Sequence, residues 1–382
     1  MSEPSQNRGW NVPETTIFER LAGALETGES AAVATVVAVE GSAYRRPGAK
    51  MFLTADTAAG SVTAGCLESD IADIADEVRA SGEARLTRFD LTDDDEWGLG
   101  LGCNGVIDLL VEPLDERFES MVDSYHDGDD GVALTVVESE AEDVSVGDRA
   151  YTATEDLSEP VGLPAWLQRG VRDQIRDCFA HGQSETVTVT DPDGDECRVF
   201  LDAVVAPPAL YVFGSGADVD PVTELATRAG FRVTVVSFRG GHAEPGSFPD
   251  ADSVISLSAP QVGTELSLDE TTYAVVMSHN LIDDRLAVEA LLETPVPYIG
   301  VMGPADRFAE IETALAEDGR ELTQADRQRI YAPIGLNLGG GAPYQIAMSI
   351  VSELLTVHNG RDPAHHRERE AAIHEHSGAE QA

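Results

Sequence analysis

Apolar positions recur at helical spacing over residues 15–28, where Ile17, Phe18, Leu21, Ala24 and Leu25 share one face, so an amphipathic helix is predicted there. Small and β-branched residues then run almost without a polar break over 31–39, the pattern of a buried strand. A glycine- and proline-punctuated loop over 41–48 leads into a short strand over 50–54. Residues 60–65 are again rich in turn formers, and a helix is predicted from about 67 to 80. Strands over 86–91 and 106–112 flank a third glycine cluster at 98–105. Three glycine-rich loops returning between strands and helices predict a compact α/β unit whose loops gather at one site.

The pattern is weaker over 116–201. It allows a helix at 115–124, strands at 132–137 and 185–190, a helix over 164–181 and a hairpin turn at Asp191-Pro192-Asp193-Gly194-Asp195. Pro207-Pro208 marks a boundary. An apolar strand over 209–213 then enters Gly214-Ser215-Gly216, followed by a helix to 229 and a strand over 231–236. That is the β-turn-α-β opening of a Rossmann-like sheet. Strands at 273–277 and 298–301, with a helix at 284–292 between them, extend a doubly wound pattern with its ligand loops at the carboxyl ends of the strands. The fold read from the chain is therefore α/β in two domains, 14–206 and 207–358, with a polar tail at 359–382 that is expected to fray. No internal repeat is visible.

Charge changes the picture of the surface. There are 69 acidic residues against 25 basic ones, a formal net charge of −44, and Lys50 is the one lysine. So negative a field repels nucleic acid and anionic membranes, which excludes both as general partners. The acid is spread over every segment instead of forming a block. Carboxylates that keep a hydrated surface, with salt screening their repulsion, suggest adaptation to high salt. No apolar run is long enough to span a membrane. The polar start at 1–13 lacks a signal-peptide layout. The cysteines, Cys66, Cys103, Cys178 and Cys197, are far apart and form no CxxC pair. Free thiols in a reducing cytoplasm are expected.

Against that background, local positive charge stands out. The first loop, Gly41 to Met51, holds Arg45, Arg46 and Lys50. Guanidinium donors beside flexible glycines suit an anion such as phosphate, although pairing with nearby carboxylates would also account for them. In the second loop, Cys66 is placed at the start of the predicted helix, where the helix field favours a thiolate able to bind metal or attack sulfur. A small buried hydrophobe is the other reading of Cys66, and Glu68 could simply complement the helix dipole. The third loop carries Gly98, Gly100, Gly102 and Gly105 around Cys103, which leaves backbone room for a ligand. Two thiols converging on one pocket would make a metal or sulfur site.

In order and spacing these three loops resemble the signature loops of the XdhC/CoxI family of xanthine dehydrogenase accessory factors. The stretches 211–216, 276–284, 298–303 and 332–353 resemble that family's Rossmann domain, and the likeness covers most of 17–358. It implies binding of molybdenum cofactor (molybdopterin), its protection, and its delivery to a xanthine dehydrogenase or CO dehydrogenase type of molybdenum hydroxylase. Sulfuration with a cysteine desulfurase is implied at the same stage. The expected role is a cofactor-insertion chaperone more than an enzyme, with a client hydroxylase, a desulfurase and a second copy of the chain as partners. The candidate cofactor-binding residues are Gly41, Ser42, Arg45, Arg46, Gly48, Gly65, Cys66, Glu68, Gly100, Gly102, Cys103 and Gly105, with Cys66 and Cys103 as metal ligands.

The C-terminal half keeps Gly214 and Gly216 but departs from pattern elsewhere. Val219 replaces the third small residue of the dinucleotide turn, and Ser237, followed by Arg239, stands where an acid would meet ribose hydroxyls. Ala217, Leu281 and Gly339-Gly340-Gly341 stand where the family carries His, His and Arg. Either this half takes a different nucleotide or it has kept the fold without the ligand. His279 remains as a candidate ligand contact, with helix capping or burial as the alternative. A nucleotide- or NAD(P)-dependent oxidoreductase is the competing function.

Overall fold

The computed structural model describes residues 8–9, 11–91, 105–155, 162–238 and 246–368. The chain divides into two compact units, Met1–Ala206 and Pro207–Ala382.

In unit one the strands and helices run β1 (Arg8–Gly9), α1 (Glu14–Thr27), β2 (Ala32–Gly41), β3 (Lys50–Leu53), β4 (Ala58–Gly60), α2 (Glu68–Ser81), β5 (Arg85–Asp90) and β6 (Gly105–Pro113). They continue as α3 (Glu119–Asp127), β7 (Gly131–Ser139), β8 (Arg149–Thr152), α4 (Ala165–Gly170), α5 (Arg172–His181), β9 (Glu185–Thr190) and β10 (Glu196–Val204). Two sheets result, ordered β1-β4-β3-β2-β6-β5 and β8-β7-β10-β9. Every pairing is antiparallel except β1 with β4.

The α2 helix exists because Ile71, Ala75 and Val78 recur at helical spacing and bury against Ala34, Val36, Leu109 and Val111 of the first sheet. Gly82 ends it in the left-handed conformation, its N–H bonded to the Val78 carbonyl. Helices α1 and α3 meet through Phe18, whose ring stacks on Tyr125 at 3.7 Å. Full burial of side chains such as Phe18, Leu21 and Ile71 stabilises by about 1.5–3 kcal/mol each. The helix expected over 164–181 is two: Gly170 packs so close to Val189 that a side chain there would collide, and the helix restarts at Arg172.

Unit two is a parallel sheet of β11 (Ala209–Phe213), β12 (Arg232–Ser237), β13 (Ser253–Ser256), β14 (Thr272–Val276), β15 (Tyr298–Val301) and β16 (Ile330–Tyr331), in the order β13-β12-β11-β14-β15-β16. Counted within the unit this is 3-2-1-4-5-6, the order of dinucleotide-binding sheets, with its switch point between β11 and β14. Residues 220–228 and 343–358 form helices packed on one face, and 281–292 and 305–317 form helices packed on the other. The expected α/β class with a doubly wound second half is what the chain adopts. The last helix ends at His358, and residues 369–382 of the expected frayed tail lie outside the described residues.

Among the described residues five carboxylates are buried, and each has a partner. Asp108 faces Arg88 and Arg198, Glu112 faces Arg149, Asp202 faces Lys50, Asp284 faces Arg307, and Glu353 accepts from Tyr298. The buried acid among the described residues is thus paired with a cation or, at Glu353, hydrogen-bonded, as desolvation cost requires.

Candidate functional site

The three glycine loops meet the first sheet at one end. Loop one leaves β2 at Gly41 and enters β3 at Lys50. Loop two leaves β4 at Gly60, which is in register with Met51. The third loop runs from β5 to β6, and Gly105 lies opposite Gly41. A Cβ on Gly105 would run into the Ser42 carbonyl oxygen, so this close approach requires glycine. Gly41, Gly48 and Gly65 take positive φ. Gly100, Gly102 and Cys103 lie outside the described residues.

Within loop one, Ser42, Arg45 and Arg46 are exposed. Two backbone bonds close the turn: the Ala49 N–H donates to Arg46 O at 3.1 Å and the Gly48 N–H to Val36 O at 2.9 Å. Among the described residues neither arginine side chain is engaged in an ion pair or hydrogen bond. Both guanidinium groups are available to an anion.

Lys50 corrects the expectation that the whole loop is basic toward a ligand. Its side chain is 2% exposed, and Nζ lies 2.8 Å from Asp202 Oδ2 and 3.6 Å from Glu14. Nζ also donates to the Gly48 carbonyl at 2.9 Å. Burial works against the ammonium charge, but Asp202 and Glu14 outweigh it and hold its pKa above the ordinary lysine value. Lys50 is a buried strut between the two sheets of unit one, not a phosphate contact.

In loop two, the buried Thr63 hydroxyl donates to Glu68 Oε1 at 3.2 Å and accepts from the Gly65 N–H at 3.3 Å. Among the described residues the second Glu68 carboxylate oxygen is buried without a hydrogen-bond partner. A cleft of about 270 Å³ adjoins this turn, lined by Met51, Leu53, Gly60, Gly65, Glu68 and Ala72 among others. Cys66 was expected to open the following helix; it does not. The helix starts at Glu68 after an N-cap at Leu67, and Cys66 is half-buried in the turn before, against the α2 hydrophobic cluster. The field of a helix end falls off within a turn, so that source of thiol activation weakens.

Cys178 and Cys197 are packing residues of the second sheet's core. Both are buried, and burial pushes the Cys178 thiol up to about 12 and raises that of Cys197. Alkylation of native protein near pH 8, with sites mapped by mass spectrometry, should therefore label Cys66 well before either of them. Faster labelling of Cys178 or Cys197 would overturn this ranking.

At the switch point of unit two the glycine turn after β11 lies against the end of β14. A Cβ on Gly214 would sit 2.5 Å from the Met277 carbonyl oxygen, so only glycine allows that contact. His279 is neither buried nor a cap. It takes φ of 59°, is 61% exposed, and its Nε2 lies 2.7 Å from Asp218 Oδ2. The cap belongs to Asn280, whose Oδ1 accepts from the N–H groups of Ile282 and Asp283. Behind them, buried Asp284 accepts from Ser278 and is paired with Arg307 at 2.5 Å. Ser237, fully buried, donates its hydroxyl to Ser215 at 3.2 Å. Asp218 was missed from the sequence, although Asp218-Val219-Asp220-Pro221 directly after the glycine turn is the visible signal.

These residues do not fit a dinucleotide. Pyrophosphate binding needs a glycine turn open to close approach and free N–H groups at the following helix start. Here the Asp218 carboxylate stands beside Gly216, the helix begins with Asp220, and Pro221 lacks an N–H. No acid at the end of β12 is present to meet ribose.

An α/β unit with glycine loops gathered at one sheet end, joined to a parallel sheet of Rossmann order, is the class this chain defines. Its residues 24–90 match the XdhC and CoxI family, and residues 210–354 match the XdhC Rossmann domain, together more than half of the chain. The chain belongs to the XdhC/CoxI family. It is 28% identical over 339 residues to a Bacillus subtilis protein named as a probable xanthine dehydrogenase subunit, covering 87% of this chain and 94% of that one. An uncharacterised Escherichia coli protein is 25% identical over 174 residues, which is 44% of this chain and 31% of the relative. A solved structure described as a xanthine dehydrogenase from Bacillus halodurans is 26% identical and superposes with a TM-score of 0.71, over 92% of this chain and 97% of that one. Among the described residues no helix is long and apolar enough to cross a membrane, and no group of three or more His, Cys, Asp or Glu is arranged to hold a metal ion.

Proposed function

We propose that this protein is an accessory factor that receives molybdenum cofactor at the loop end of unit one and hands it to a molybdenum hydroxylase. Family membership and the names of the relatives support the accessory role toward xanthine dehydrogenase. The observation that carries the cofactor reading is the meeting of the loops at one sheet end, with Arg45 and Arg46 exposed and unengaged among the described residues. The cargo offers a terminal phosphate, a pterin and a dithiolate-bound metal. Arg45 and Arg46 would take the phosphate by charge-assisted hydrogen bonds. Backbone N–H groups of the glycine turns would add to that anion site. Cys66, half-buried in the turn before α2, would meet the soft metal–sulfur end, where thiolate is a natural partner. Sulfuration of the metal by a cysteine desulfurase docked on the same unit belongs to this reading.

Expression of the full chain with molybdate in a cofactor-producing host tests it. Molybdenum and pterin should co-purify in stoichiometric ratio, measured by elemental analysis and by pterin fluorescence after oxidation. A folded product that carries neither, and takes up neither when mixed with isolated cofactor, would sink the proposal.

A further inference from the structure

In unit two we infer that Asp218 is a built-in specificity determinant, a carboxylate that closes the switch-point crevice to phosphorylated ligands. The sheet order, the glycine turn after β11 and the close contact of Gly214 with Met277 are those of a phosphate-binding edge. In such an edge the second glycine leaves its face bare so that pyrophosphate can approach the backbone. Here that face is taken by the protein's own anion. Asp218 Oδ1 stands 2.5 Å from the point a Gly216 Cβ would occupy, and His279 Cδ2 lies 3.5 Å from the same point. Asp218 holds this place through the 2.7 Å contact with His279, across 61 residues of sequence. His279 adopts a left-handed backbone, which is strained for a non-glycine residue and is maintained where surrounding structure demands it.

Charge acts in the same direction. A carboxylate in the turn and a second, Asp220, at the first helical position meet an incoming phosphate with like charge. Pro221 removes one of the N–H donors that would otherwise compensate. The Asp218 side chain is 33% exposed and so faces the crevice mouth as well as its partner. The parallel sheet has thus kept its phosphate-binding geometry while its chemistry rejects phosphate. This inference is independent of what unit one carries.

The test uses the full chain and calorimetric titration with ADP and with NAD⁺ at one fixed ionic strength. Wild-type protein should show no saturable binding up to millimolar ligand. Asp218→Asn keeps the size of the side chain and its contact with His279 while removing the charge. Asp218→Ala also clears the face of Gly216. Each should gain ADP affinity, with Asp218→Ala at least tenfold tighter than wild type and Asp218→Ala/Asp220→Ser tighter again. Asp218 is at the surface, so unfolding is not expected, and an unchanged thermal midpoint confirms that each variant is folded. His279→Ala, which keeps the carboxylate but frees it from its anchor, should gain less ADP affinity than Asp218→Ala. Wild-type binding of ADP or NAD⁺ at least as tight as the variants' would overturn the inference. So would folded Asp218→Ala and Asp218→Ala/Asp220→Ser proteins that gain nothing.

Discussion

Replacement of Arg45 and Arg46 together by alanine is expected to lower affinity for molybdenum cofactor by at least a hundredfold without unfolding the protein. Each guanidinium lies on an exposed loop and supports no other described residue, so the fold loses little when it is removed. A charge-assisted contact to phosphate contributes about 1.5–3 kcal/mol, which is roughly ten- to a hundredfold in affinity. Arg46→Lys should recover only part of the loss, because a point charge cannot reproduce the two-pronged donor geometry. The measurement is equilibrium binding of isolated cofactor to folded variants at matched salt, since exposed phosphate contacts weaken as salt rises. Unchanged affinity in the double variant would remove loop one from the site. The involvement of loop two, including Cys66, rests on different residues and would stand.

A comparably large effect, on stability this time, is expected at Lys50. Lys50→Met leaves the buried Asp202 carboxyl beside an apolar side chain, with only Ser184 among the described residues still donating to it. Breaking a buried pair from one side costs about 3–5 kcal/mol, most of it from the stranded charge. Lys50→Met with Asp202→Leu removes both charges and should return most of that loss, because an apolar pair of similar volume is often no less stable. Urea denaturation at constant salt reads both variants. A single variant as stable as wild type would show that the pair is not desolvated in solution. The pH dependence has a definite sign. Lys50 is held above the ordinary value of 10.5, so its contribution is complete below that pH and is lost as pH rises through the raised value.

Local pattern carried much of this protein's architecture. The strands at 185–190 and 298–301 fall on their observed bounds, because unbroken β-branched or apolar runs between turn formers leave few alternatives. The α2 helix, read as 67 to about 80, spans Glu68–Ser81, since one apolar stripe and a terminal glycine delimit it. The glycine loops were legible for a similar reason: glycine at such density has no packing use, so it marks backbone that something approaches. Strands such as β8, β13 and β16 were not legible. They are two to four residues long, and their pairing partners alone make them strands.

What the sequence could not separate was the fate of the charges. Arg45, Arg46 and Lys50 read as one basic cluster, yet two face solvent and the third is buried against Asp202, 152 residues away. Sequence neighbours on a turn and the following strand need not share an environment, and only the packing of the second sheet supplied the counter-charge. The same holds for His279 and Asp218, which come together because parallel strands β11 and β14 are adjacent at the switch point. Periodicity and turn chemistry are local and survive in the one-dimensional record. Which charge meets which depends on strand order, and that is decided only when the sheets form.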